Sequence, residues 1–331
     1  MASILTVPDR AHPGDDPARR AVGSRVPRRG SWRRTGELTL LLGPATVLFV
    51  GFVLAPIVVA VYYSLYRWSG FGPLSDFVGL HNYSYALHDP VFRKAIGHNM
   101  IIVVLSLVVQ LPLSIGIALL LNRRLRGRAF LRLVVFAPYV LSEAITAVIW
   151  LLMLQPGGFV DQVLHDLGLG GLVHEWLADR GLVLYTLFVV ITWKYIGFGV
   201  ILLLAGLQGI PAELREAAAI DGASAWQITR QITRQITLPL LGPTIRIWIF
   251  LSVIGSLQLF DLVWIMTLGG PADASTTMSV YMIDHGFRRY QFGYGSAVAV
   301  LLFVICFIFA LVYQRFALRR DVEGAMTRAV G

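Results

Sequence analysis

Six long apolar runs constrain this chain before any other feature does. They fall at roughly Leu38–Tyr66, Ile96–Leu121, Ala129–Leu154, Gly181–Leu207, Leu240–Leu268 and Gly293–Tyr313. A helix needs about 20 apolar residues to cross a bilayer. One such run is compatible with a buried core helix. Six, separated by polar or basic loops, predict membrane spans. Pro44, Pro56, Pro112 and Pro138 lie inside them. Each would be costly in a soluble helix, but neighbouring membrane helices re-satisfy the carbonyls that proline frees. Composition agrees, with 56% apolar and 14% charged residues. Soluble domains carry about 25% charged residues. A disordered chain would be poor in apolar residues and is excluded. The single cysteine, Cys306, leaves no disulfide framework and no Cys-based zinc site. The expected fold is an all-α integral membrane protein with six transmembrane helices.

The net charge of +9 sorts by loop. The stretches before the first run, between runs two and three, between runs four and five, and after run six hold 19 Lys and Arg. The alternate loops hold 6. Basic residues mark the cytoplasmic side, so both termini are expected inside. That arrangement also argues against nucleic acid as a partner. The basic residues follow the topology and form no single face interleaved with aromatics. Residues 1–37 are polar and Arg-rich, unlike a secretory signal, and read as a cytoplasmic tail near membrane lipid. Residues 38–315 read as the membrane domain, and 316–331 as a second cytoplasmic tail.

The loop at about 208–239 has its own local chemistry. Pro211 suits a first helical position. Glu213 and Glu216 complement the N-terminal end of the helix dipole, and Ala217–Ala219 favour helix. Gly222 suits a left-handed C-cap. Ser224-Ala-Trp-Gln227 has the form of a capping box opening a second helix, which must end before Pro239. Two short helices bent at a glycine make a docking shape for a cytosolic protein, or a helix pair lying on the membrane surface.

Glu216-Ala217-Ala218, then Gly222, then Ile236-x-Leu238-Pro239, resembles the coupling motif of permease subunits in binding-protein-dependent ABC importers. Val78-Gly-Leu-His-Asn-Tyr83, Leu121-Asn-Arg-Arg-Leu-Arg-Gly-Arg128, Phe260-Asp-Leu-Val-Trp264, Gly269-Gly-Pro271 and Phe292-Gly-Tyr-Gly-Ser296 resemble the carbohydrate-uptake branch, in order along about Leu38–Arg315. The likeness is greatest to the maltose- and glycerol-phosphate-type first permease. The resemblance implies a non-catalytic subunit of a bacterial cell (inner) membrane. Its implied partners are a second permease, two copies of a cytoplasmic ATPase and an extracellular or periplasmic solute-binding protein. It implies that Glu213, Glu216, Ala217, Ala218, Asp221 and Gly222 contact the ATPase, with Glu216 the acidic contact and Gly222 permitting the bend. No cofactor is implied.

The chain departs from the family in one place. Ten positions separate the glycine from the Ile of Ile-x-Leu-Pro in the family, but fourteen separate Gly222 from Ile236. Gln227-Ile-Thr-Arg230 is repeated as Gln231-Ile-Thr-Arg234. Four residues add about 6 Å of helix and about 40° of rotation. Ile228, Ile232 and Ile236 stay nearly on one face. The insert is an absorbed extra turn, a weakening of ATPase coupling, or a variant of this particular sequence.

Neither lysine, Lys94 nor Lys194, lies in a P-loop context, so the energy must come from another chain. His81, His88, His98, His165, His174 and His285 lack metal-ligand spacing and read mostly as histidines of external loops. Ionisable residues inside spans are functional candidates by default. Glu143, Lys194 and Asp261 qualify, whereas Arg246 lies near a span end where it can snorkel. Sugars are held by polar groups together with aromatic faces. Tyr139, Glu143, Trp193, Lys194, Gln258 and Asp261 are the candidate pathway residues, with Trp150, Tyr195 and Trp264 further aromatics. Whether Lys194 pairs with Glu143 or with Asp261 stays open. Competing readings are a permease for glycerol-phosphate-like or other polar solutes, a polytopic membrane enzyme, and a secondary transporter. No acidic or nucleophilic cluster supports the second. No broken-helix repeat supports the third.

Overall fold

Pro90, seated directly behind Asp89, starts the second span six residues earlier than hydropathy alone suggests. The Asp89 carboxylate accepts the backbone N–H groups of Val91 and Phe92 at 2.7 and 2.9 Å. Proline at the first helical position loses no hydrogen bond. This detail comes from a computed structural model that describes residues 31–123, 126–210 and 237–318. Glu213, Glu216, Ala217, Ala218, Asp221, Gly222 and the doubled Gln-Ile-Thr-Arg lie outside the described residues.

Among the described residues the fold is helical, apart from one isolated bridge between Tyr66 and Phe77. Five segments are long and apolar enough to cross a membrane: Leu38–Ser64, Pro90–Leu121, Val183–Gln208, Gly242–Thr267 and Phe292–Ala317. The sixth candidate is not straight. Its halves, Arg128–Val140 and Glu143–Leu154, meet at 99°. At 13 and 12 residues each half is only about 18–20 Å long, short of the ~30 Å hydrocarbon core.

The chain divides into two units, Met1–Pro56 and Ile57–Gly331. The first contains α1 (Ser31–Phe49), with Pro44 inside it, and a π-type turn at Val50–Leu54. In sequence there follow α2 (Ala55–Ser64), α3 (His81–His88), α4 (Pro90–Leu105), α5 (Leu111–Leu121), α6 (Arg128–Val140), α7 (Glu143–Leu154), α8 (Phe159–Asp166) and α9 (Val183–Gln208). Beyond the loop come α10 (Gly242–Leu257), α11 (Asp261–Thr267), α12 (Met278–Ile283) and α13 (Phe292–Tyr313).

The second unit has three apolar clusters. One joins α7, α9 and α11 through Ala147, Leu154, Leu187, Val190, Leu262 and Val263. Another joins α4, α10, α12 and α13 through Phe92, Leu257, Met278, Tyr281 and Val298. The third joins α5 and α9 to Leu241. Lipid tails are as apolar as these side chains, so close packing has to hold such helices together. α9 achieves it with small residues. A Cβ on Gly197 would stand 2.3 Å from the Val135 carbonyl oxygen of α6. One on Gly199 would stand 2.4 Å from Trp248 Nε1 of α10.

Two of the six histidines are not surface groups, contrary to expectation. His98 and His285 are buried. His98 Nδ1 lies 2.8 Å from the Thr276 carbonyl. His285 stacks on Tyr281 with ring centroids 4.0 Å apart, and burial lowers its pKa. The physical reason is that the segment Met278–Arg288 packs inward against α4 and α13.

Candidate functional site

The bend in the third candidate span has a specific cause. α6 ends at Val140, Leu141 and Ser142 are extended, and Ser142 Oγ accepts the N–H of Ile145 as the cap of α7. The last carbonyls of α6 have no partner within their own helix. Lys194 of α9, only 3% exposed, reaches across and donates to the carbonyls of Pro138 (3.1 Å), Tyr139 (2.9 Å) and Leu141. An ammonium has three donors, and all three are committed. A cation at a helix C-terminus also complements the dipole. The question of a carboxylate partner therefore has a different answer: Lys194 hydrogen-bonds to backbone carbonyls. Glu143 instead accepts the hydroxyl of Tyr195. The Lys194 ammonium lies 5.7 and 5.9 Å from the ring centroids of Tyr139 and Tyr195.

The fifth span breaks as well. α10 ends at Leu257, and α11 begins at Asp261. Here Asn99, fully buried on α4, supplies the cap. Its amide donates to the carbonyls of Ser256 (2.7 Å) and Leu257 (3.2 Å), and its oxygen accepts the N–H of Met278 (2.9 Å). Thr277 Oγ1 donates to the Leu259 carbonyl at 2.8 Å. Each break in a span is thus fastened by polar side chains from another segment, which is how irregular backbone survives at membrane depth.

A cavity of about 420 Å³ opens between the two breaks. Tyr139, Tyr195, Phe198, Trp248 and Phe260 give it aromatic walls. Glu143 and Asp261, each the first residue of its half-helix, line it too, as does Gln258. A further polar wall comes from Ser106, Gln110, Ser252 and Ser256. Ser106 Oγ donates to Gln110 Oε1 at 2.6 Å and lies 2.6 Å from Ser252 Oγ. The arrangement offers stacking faces, hydroxyl and amide hydrogen bonds, and two carboxylates.

Of the six candidate pathway residues, Tyr139, Glu143, Gln258 and Asp261 line this cavity, and Trp193 and Lys194 do not. Trp193 sits edge-on against Trp150 at 5.5 Å. Sequence reasoning did not single out Ser106, Gln110, Trp248, Ser252 or Ser256. The signal was present: Ser106 and Gln110, and Ser252 and Ser256, stand four apart in otherwise apolar runs, so each pair shares a helix face. Asn99 carried no signal beyond being a lone amide near a span start.

Residues 110–322 match the family described as "Binding-protein-dependent transport system inner membrane component". The Diacetylchitobiose uptake system permease protein NgcF of Streptomyces coelicolor is 31% identical, over 98% of this chain and 94% of its own length. The Trehalose/maltose transport system permease protein MalF of Thermococcus litoralis is 34% identical, over 85% and 94%. The sn-glycerol-3-phosphate transport system permease protein UgpA of Agrobacterium fabrum is 32% identical, over 86% and 96%. Among solved structures, a bacterial ABC transporter involved in the import of the acidic polysaccharide alginate has a chain of the same fold. It matches at a TM-score of 0.74 and 23% identity, covering 87% of this chain and 98% of that one.

Proposed function

The chain belongs to the family of binding-protein-dependent transport system inner membrane components, and from that premise we propose that it is the carbohydrate-carrying permease subunit of an ABC importer. The observation that carries the sugar reading is the cavity, with five aromatic walls beside serine, glutamine and carboxylate groups at two broken spans. Discontinuous helices that meet near mid-membrane are where transporters build solute sites. Aromatic faces stack on the C–H faces of a sugar ring, and the polar wall serves its hydroxyls. Relatives named for trehalose/maltose and diacetylchitobiose support the substrate class.

The subunit forms one half of the pathway. A second permease forms the other half, two copies of a cytoplasmic ATPase supply the energy, and an extracytoplasmic solute-binding protein delivers the cargo. Six spans place both termini in the cytoplasm of a bacterial cell. Residues 1–37 and 316–331 are cytoplasmic tails, and 38–315 is the permease domain. The loop at about 208–239 docks on the ATPase through Glu213, Glu216, Ala217, Ala218 and Asp221, and Gly222 permits its bend. ATP-driven closure of the ATPase pair moves that loop and rocks the spans. The in-phase spacing of Ile228, Ile232 and Ile236 supports an extra turn that coupling tolerates.

Reconstitution tests this reading. In proteoliposomes, sugar uptake requires ATP, the ATPase chains and the binding protein together. Uptake driven by an ion gradient without any ATPase chain overturns it. Deleting Gln231–Arg234 is expected to change cargo-stimulated ATP hydrolysis by less than twofold, and a large rise would mean that the insert weakens coupling.

A further inference from the structure

We propose that the cavity is a charge filter that passes uncharged or amine-bearing glycans and rejects phosphorylated or carboxylated ones, an inference that rests on the sugar-permease reading above. Helix N-termini are ready-made anion sites, because their free N–H groups and the dipole favour negative charge. The N-terminus of α7 meets this cavity, so an anionic cargo would be the natural guess. It is already compensated. Glu143 occupies the first position of α7 and Asp261 the first position of α11, and both line the cavity. The Ser142 hydroxyl has further taken the N–H of Ile145.

No Lys, Arg or His lines the cavity among the described residues. Lys194, which stands against Tyr139 and Tyr195, is withdrawn from the cargo. Its three donors are bound to the carbonyls of Pro138, Tyr139 and Leu141. An anionic group entering the cavity therefore meets two carboxylates, while the one buried ammonium nearby, Lys194, has its charge offset by Glu143 and no donor left for the cargo. In a setting of reduced dielectric that repulsion is far larger than in water. An ammonium group on the sugar would be attracted for the same reason. Neutral hydroxyls would find Gln258, Gln110 and the serines. Family membership does not dictate this outcome, since relatives are named for both neutral and phosphorylated cargo.

The test uses the full transporter in proteoliposomes, with trehalose, maltose and N,N′-diacetylchitobiose as neutral probes. For each neutral probe that is carried, its phosphate ester and its amino-deoxy derivative are compared with it. Uptake is expressed per occupied binding protein, so that delivery does not mask the permease. The phosphate ester is expected to enter at least about tenfold more slowly than the neutral sugar, and the amine at least as fast as the neutral sugar. The double variant Glu143→Gln, Asp261→Asn should raise the ester-to-neutral ratio several-fold. If that variant does not assemble, Gln258→Arg, which adds a cation to the same wall, should raise the ratio instead. An ester carried as fast as the neutral sugar by the native assembly overturns the filter and leaves the permease reading standing, as does a ratio that the variants leave unmoved. Uptake of the neutral probes driven by an ion gradient without any ATPase chain overturns the permease reading, and the filter with it.

Discussion

Removing the amine of Lys194 would strand three carbonyls at once. It is the group that allows the third candidate span to turn through 99° inside a nonpolar medium. A buried polar atom left without a partner costs about 1–3 kcal/mol, so Lys194→Met should lower the thermal midpoint of the purified assembly by several degrees. Lys194→Arg should recover part of the loss. Unchanged thermal stability together with lost uptake would place Lys194 in the cargo path instead. Asp161 fills a similar role outside the spans. Its carboxylate accepts Trp176 Nε1 and the Gly157 N–H, both at 2.8 Å, and these bonds hold its pKa below the ordinary value of 3.8. A carboxyl whose folded pKa is depressed contributes its stability above the unfolded value and loses it as pH falls through the folded one. At neutral pH the contribution is complete. Asp161→Ala should therefore speed proteolytic nicking within residues 155–180 several-fold under those conditions, and no change would mean that the loop is held by other contacts.

α9 shows how a central membrane helix is positioned by the side chains it lacks. A Cβ at Gly197 would meet the carbonyl oxygen of Val135 at 2.3 Å and the Cα of Phe136 at 2.9 Å. Both are backbone atoms, so α6 as a whole would have to retreat. Gly97, on α4, has nothing within 4 Å of the same construction. Gly197→Ala is expected to cost about 1–3 kcal/mol through overpacking, whereas Gly97→Ala should be neutral or stabilising by up to about 1 kcal/mol. Thermal midpoints of the two variants, measured side by side, check the contrast, and equal shifts would contradict it. At this scale the sequence was legible where the signal is additive. Hydropathy sums over a run, so five spans emerged with ends correct to within a few residues, except where Asp89 and Pro90 added the six residues Pro90–Ala95, whose apolar Val91, Phe92 and Ala95 are masked in the sum by Arg93 and Lys94. The bend was hidden because Pro138, its visible marker, stays inside α6, and the chain turns only at Leu141–Ser142. The Ser142-Glu143 pair was the usable clue, since serine before an acidic first turn opens a helix. Lys194 and Asn99 could not have been assigned, because the carbonyls they cap come from segments far away in the chain.

The whole molecule poses a question of parity that the bent pair makes sharp. If α6 and α7 together cross the bilayer, the chain has six crossings and both termini share a side. If the pair is instead a re-entrant loop, there are five crossings, and everything from residue 155 onward changes side. The loop at about 208–239 would then face away from any cytosolic ATPase, so the docking role proposed for it depends on parity. The charge distribution argues for six. The loops expected inside hold 19 Lys and Arg and those expected outside hold 6, and a change of side after residue 155 would mix the two groups. Three single cysteines decide it. Cys306 is the chain's own cysteine and is buried, so background labelling is low. Ser69, Arg126 and His174 are exposed and stand in three successive loops. In intact cells a membrane-impermeant maleimide should label Ser69→Cys and His174→Cys. Arg126→Cys should react only after permeabilisation. Labelling of Ser69→Cys alone would make the bent pair re-entrant, would remove the loop at about 208–239 from the cytoplasm and would overturn the docking role proposed for it. Labelling of Arg126→Cys alone would invert the whole topology. The six-span pattern is expected because the two halves of the bent pair join loops of opposite basicity: Arg123, Arg124, Arg126 and Arg128 lie before or at the start of α6, whereas Arg180 is the single Lys or Arg of 155–180.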